Sequence, residues 1–201
     1  MGKTIVMDPY NAKIGLTLPK NLSADIVTIS HQHVDHNDPS AISGVKQVLE
    51  KPGDYVVEGI DITGVQAYHD DSHGSMRGPV TVFIIESEGI RVCHLGDIGQ
   101  ILTGDQISEI GRVDVLMIPV GGVVTLGPME ARETIGFVKP KIILPMHFQA
   151  GERKSRFVLK GVEEFLGVMN IPEESKEELV ITKQELDKSL QKIVLLKPLN
   201  L

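Results

Sequence analysis

Four apolar runs in this chain each end on an imidazole or a carboxylate. "ADIVTIS" (24–30) runs into His31, "IDITGVQAY" (60–68) into His69, "IRVCHLG" (90–96) into Asp97, and "KIILPM" (141–146) into His147. Short runs rich in Val and Ile, bounded by Gly, Pro and Asp, read as buried strands. A rigid sheet presents its site residues on the loops at one end. A fold that accommodates all four runs therefore has to collect these polar ends together, and that requirement restricts the architecture more than any other feature.

The remaining segments alternate in type. "KTIVM" (3–7) and "DVLMIPV" (114–120) are further candidate strands. "DYVVEGIDITGVQAYH" reads as a hairpin around Glu58-Gly59, and "PVTVFIIESEGIRVCHLGD" as a second one turning at Ser87-Glu88-Gly89. Helices are expected between the later strands. Thr103 with Gln106 makes a capping box before "QISEIG", and Pro128 takes the first helical position before "MEARETIGFV". "SRFVLKGVEEFLGVM" (155–169) carries Phe157, Val158, Val162, Phe165, Leu166 and Met169 at helical spacing. The tail from Pro172 is charge-rich, is expected to be partly helical, and closes on the strand-like "KIVLL". The class is α/β, and 201 residues with 41% hydrophobic content suit a single domain spanning 1–201.

Composition narrows the function. Net charge is −7, which disfavours nucleic-acid binding as the main activity, because that affinity rests on a basic footprint. No run approaches the roughly 20 apolar residues of a membrane helix. "MGKTIVMDPY" lacks the pattern of a secretory signal, so a cytoplasmic location is expected. Cys93 is the one cysteine, which agrees with a reducing compartment and excludes a Cys-rich zinc site; it reads as a small buried hydrophobe.

The segment "HQHVDH" places His31, His33, Asp35 and His36 within six positions. In an extended chain residues two apart point the same way, so His31 and His33 can grip one ion. Asp35 and His36 follow after a turn and can address a second. Nitrogen and oxygen donors without thiolate suit zinc, with manganese or iron as alternatives, and leave an open coordination position.

Taken with "AYHDDSHG" (67–74), "CHLGD" (93–97) and "LPMHF" (144–148), this segment resembles the metallo-β-lactamase superfamily. "GKTIVMDPY" (2–10) and "MIPVGG" (117–122) are similar to its branch of small metal-dependent hydrolases related to ascorbate-phosphate lactonases. The resemblance implies a four-layer αββα sandwich with a two-metal site at one edge of the β layers. It implies that His31, His33 and His69 hold the first metal, that Asp35, His36 and His147 hold the second, and that Asp97 bridges them. Relatives in this branch begin with a further strand pair carrying a Gly-His segment. Here Met1 falls almost directly on the "GKTIV" strand, so the expectation is either a true start further upstream, with this sequence truncated, or a protein that lacks the first hairpin. An exposed sheet edge, with lower stability or edge-mediated self-association, is the expected consequence.

Other residues leave alternatives open. His73 competes with His69 for the first metal, and is otherwise a substrate contact or proton donor. Arg77 is either a surface cation or a clamp for an anionic group. Asp35, His73 and Arg77 are the candidate catalytic residues. His94 reads as a hydrogen-bonded histidine near the metals or as a partner orienting a ligand. Asp8 is structural or hydrogen-bonds a ligand histidine. "PVGGVVTLGP" (119–128) lacks the Lys of a phosphate-binding P-loop and reads as a pocket wall, with Thr125 as a polar contact. The leading expectation is a two-metal hydrolase of a small, anionic, ester-type substrate, either a lactone or a phosphodiester. Weaker alternatives are a nuclease of the same superfamily, a di-iron redox protein and a non-catalytic metal binder; a homo-oligomer is compatible with the sequence.

Overall fold

The computed structural model describes residues 2–10, 18–150 and 158–199. Two sheets organise them. The smaller contains β1 (Ile5–Met7), β2 (Ile26–Thr28) and β3 (Gln47–Leu49), all parallel, with Val6, Val27 and Val48 in register. The larger has eight strands.

The large sheet begins as an antiparallel meander of β4 (Gly53–Val57), β5 (Ile60–Tyr68), β6 (Pro79–Ser87) and β7 (Ile90–His94). Glu58-Gly59 and Glu88-Gly89 close its two tight hairpins, all four residues with positive φ, as the right-handed twist of paired strands favours. The sheet continues in parallel through β8 (Val115–Pro119), β9 (Ile142–Met146), β11 (Lys192–Leu196) and β10 (Glu173–Lys176).

Alternation along these strands divides the core. Ile60, Ile62, Phe83 and Ile85 point toward Ile26 and Leu49 of the small sheet. Val65, Ala67, Val82, Ile84 and Cys93 point the other way, into a cluster with Ile110, Ile135 and Phe165. Those last three belong to α1 (Gly104–Ile110), α2 (Pro128–Val138) and α3 (Val162–Met169). Coverage of both faces explains the nearly continuous apolar character of the central strands. A fourth helix, α4 (Lys183–Lys188), brings Leu186 against Ile142, Leu144 and Val194. Among the described residues, a single 3-10 turn (Pro39–Ala41) represents helical structure beside the small sheet. No helix among them is long and apolar enough to cross a membrane.

The Thr103–Gln106 capping box and the Pro128 start of α2 are present. The helix expected from Ser155 begins only at Val162. Lys160 instead donates its N–H to Gly121 and accepts from Gln149, which holds the chain extended, and Gly161 caps α3. Val158 is 84% exposed, so its helical spacing was coincidental, and Phe157 lies outside the described residues. Strand β10 escaped the pattern because its "EESK" sequence is polar; among the described residues it sits at the sheet edge, paired with β11 alone.

Candidate metal centre

Both sheets deliver residues to one place. After β2 the chain passes Ser30 and His31, both buried. The Ser30 N–H and hydroxyl each donate to the Asp8 carboxylate at 2.6 Å. Asp8 follows β1 and takes a left-handed φ of 47°. With its one proton given to Asp8, the Ser30 hydroxyl accepts from Nδ1 of His31, 2.9 Å away. That assignment leaves the lone pair on Nε2, and this buried atom has no hydrogen-bond partner among the described residues. Burial, then the neighbouring His36 charge, pushes the His31 pKa down to about 3, so the imidazole is neutral, as a metal ligand must be.

Ligand atoms of His31, His33 and His69 lie within 4.8 Å of one another. The His36 N–H donates to the His33 carbonyl at 3.0 Å, so the chain turns after His33 and carries Asp35 and His36 round. His36 then places Nδ1 3.0 Å from Asp8 and Nε2 3.3 Å from Asp97. Burial opposes its charge, yet these two carboxylates raise its pKa to about 10. Asp35 is half exposed, with a carboxylate oxygen 3.7 Å from His36 Nε2.

Asp97 is the hub. Its Oδ2 lies 3.3 Å from His36 Nε2, 3.6 Å from His69 Nε2 and 3.3 Å from His147 Nε2. Burial would raise its pKa, but contact with His36 and the charges of the surrounding histidines hold it far below the usual carboxylate range. His147 follows β9 with φ 49°, and its Nδ1 is 3.4 Å from the Thr125 hydroxyl.

Two glycines that the sequence reading did not single out fix the backbones of His69 and His147. A Cβ on Gly99 would lie 2.3 Å from the His69 carbonyl oxygen, and one on Gly121 would lie 2.2 Å from that of His147. Only a bare α-carbon permits these approaches. Asp70, also overlooked, is the core of the loop after His69. One of its carboxylate oxygens accepts the N–H groups of Ser72 and Gly74, the other those of Met76 and Arg77, at 2.8 to 3.1 Å. Burial works against its charge, and these four donors outweigh it, lowering its pKa. Only the Asp-Asp-Ser run after His69 hinted at such a turn.

The structure separates the two competing histidines. His69 joins the cluster, whereas His73 packs edge-on against Tyr68 and lines an adjoining cavity of about 760 Å³. The Gly122–Gly127 loop forms another part of that wall, with Thr125 between the cavity and His147. Arg77 is half-buried and lies outside the wall; its charge, after burial and several closer effects, adds to the downward shift of His69. His94 is buried close enough to Asp8, His36 and Asp97 to feel their charges, and its Nδ1 has no hydrogen-bond partner among the described residues.

Buried nitrogens of His31 and His69 that have no hydrogen-bond partner among the described residues, beside the Asp97 carboxylate, fit a divalent ion. Fold and site together define a metal-dependent hydrolase of the metallo-β-lactamase superfamily. The profile of the Beta-lactamase superfamily domain matches residues 1–147, and the chain belongs to that family. It is 28% identical over 173 residues to a UPF0173 metal-dependent hydrolase of Thermococcus onnurineus (strain NA1), covering 73% of this chain and 77% of the relative. A similar protein from Thermococcus kodakarensis is 30% identical over 176 residues, with the same two coverages. Among solved structures, a Thermotoga maritima protein described as a Zn-dependent hydrolase of this superfamily is 40% identical. It superposes with a TM-score of 0.74, covering 96% of this chain and 90% of its own.

Proposed function

We propose that the centre holds two divalent ions, zinc first, and that the protein hydrolyses a small ester-type substrate, either a lactone or a phosphodiester. The observation that carries this reading is one Asp97 oxygen within 3.3 to 3.6 Å of imidazole nitrogens from His36, His69 and His147. A carboxylate so placed is suited to bridge two ions. His31, His33 and His69 would hold one, and Asp35, His36 and His147 the other. Such a pair supplies an acidified water as nucleophile and positive charge for the oxygens of the reacting group.

The chain's own residues set the stage for that chemistry. Asp8 orients His36 through Nδ1, and the Ser30 hydroxyl fixes the tautomer of His31. Thr125 steadies His147. Arg77 adds positive potential on the His69 side, where an anionic reacting group would be drawn. Asp35, the most exposed of the carboxylates at the centre, is placed to accept a proton from an entering water. Elemental analysis of purified protein, beside a panel of lactones, phosphodiesters and thioesters, tests the reading. Two ions per chain and metal-dependent turnover of a lactone or phosphodiester are expected. A metal-free protein, or turnover untouched by a chelator, would refute it.

A further inference from the structure

The cavity beside the centre has walls whose charge is opposite to that of a bound ion pair. Asp71, Glu130 and Glu164 line it together with one cation, Lys160. The Lys160 ammonium is already engaged, 2.8 Å from Glu164, and Glu130 acts on it as well. Among the described residues, the wall therefore carries a surplus of two negative charges and no unpaired cation.

Its apolar residues are unusual in a different way. Val123 is 58% exposed, Met129 60% and Ile101 36%, and all three line this one cavity. Single exposed apolar side chains are ordinary, but several sharing a concave surface mark a place where something apolar docks. Val123 is also held at φ 65°, a conformation costly for a β-branched side chain. Its exposed side chain makes no compensating burial in the fold. Strain of this kind at a cavity rim is consistent with a ligand contact.

We propose that this cavity receives the part of the substrate remote from the scissile bond, and that this part is uncharged and apolar. The inference rests on the hydrolytic reading above and deepens it. The cavity adjoins the centre through Thr125, which touches His147, and through Gly99, which abuts His69. A substrate reacting at Asp97 extends from there onto Val123 and Met129. An anionic remote group would meet like charge from Asp71 and Glu130, with Lys160 and Glu164 paired to each other. The substrate is thereby bipolar in demand, with electron-rich oxygens at the ions and an aliphatic or aromatic body in the cavity.

The test is a series of p-nitrophenyl alkanoates and alkyl p-nitrophenyl phosphodiesters of increasing chain length, with members ending in a carboxylate as anionic counterparts, on the metal-loaded protein. kcat/KM should rise about threefold to fourfold per methylene, the equivalent of about 0.8 kcal/mol. Val123→Ser with Met129→Ser should flatten that rise. Glu130→Gln with Glu164→Gln should raise the anionic-to-neutral ratio at least tenfold. A flat series, or equal use of anionic and neutral members by the unaltered protein, overturns the proposal while leaving hydrolysis intact. If no ester is cleaved, the hydrolytic reading fails instead. Calorimetry with alkyl hydroxamates, whose head group chelates a divalent ion, then decides the pocket by itself. Affinity growing with chain length and lost in Val123→Ser/Met129→Ser supports it, and affinity independent of chain length overturns it.

Discussion

Replacing Gly121 by alanine adds one methyl group where the structure has no room. The new Cβ would sit 2.2 Å from the His147 carbonyl oxygen and 3.0 Å from Phe148 Cα, against an ordinary contact of 3.4 Å or more. The carbonyl has to withdraw by about 1 Å, and overpacking on this scale costs about 1–3 kcal/mol. Retreat is opposed from both sides. The Val120 N–H holds the Met146 carbonyl at 3.0 Å, and Gly121 itself accepts from the Lys160 N–H at 2.9 Å. Metal ligand distances tolerate only about 0.2 Å. Gly121→Ala should therefore lower the melting temperature and weaken binding of the ion proposed for His147 at least tenfold, while the ion proposed for His31 and His33 is less affected. Zinc titration calorimetry and thermal melts with and without zinc read both effects. Gly167→Ala in α3 is the control: nothing lies within 4 Å of its Cβ, so the change should add about 0.5–1 kcal/mol of stability. Wild-type zinc affinity and melting temperature in Gly121→Ala would show that the close approach has no bearing on the ligand.

Asp97→Ala should weaken both metal sites together, and calorimetry that finds one site unaffected would remove its bridging role. The metal-free protein should be most stable near pH 6.5. Below that value the unfolded chain takes up a proton that buried His31, with a pKa of about 3, refuses, so stability falls as pH drops from 6.5 toward 3. His36, raised to about 10, contributes stability fully present below 6.5 and lost as pH climbs toward 10. Thermal melts in chelator across pH 4.5 to 9 (about the accessible range) check both limbs, and a monotonic profile contradicts the assignment. Asp70→Asn turns an amide toward the Met76 and Arg77 N–H groups or those of Ser72 and Gly74; limited proteolysis should then cut within 70–78, where the unaltered protein resists.

The candidate ligands that the fold gathers were legible because each of His31, His69, Asp97 and His147 closes an apolar run. The hairpins at Glu58-Gly59 and Glu88-Gly89 were legible for a similar local reason, a turn pair between alternating strands. Gly99 and Gly121 were not, because what distinguishes them is the approach of chain segments about 26 to 30 residues apart, which only the fold creates. Nor does sequence spacing reveal that Asp70 gathers four N–H groups, since that depends on how the loop winds back. The start of α3 was misplaced because helical spacing at Phe157 and Val158 outweighed the glycine at 161. β3 passed unnoticed because Gln47 and Val48 are exposed and only Leu49 reaches the core.

Cys93 gives the molecule a property unrelated to its chemistry. Its thiol lies in β7 between Ile84 of β6 and Leu116 of β8, fully buried, with a pKa pushed up to about 12 by that burial. In this state it is neither reachable nor nucleophilic. A disulfide reagent can react only after the layer of α1, α2 and α3 lifts from the large sheet, so the labelling rate counts openings of that core and ignores fraying at the sheet edges. As the sequence's single thiol, it makes that clock free of background. Slower labelling on addition of zinc would measure how firmly an ion at the sheet ends clamps strands it does not touch.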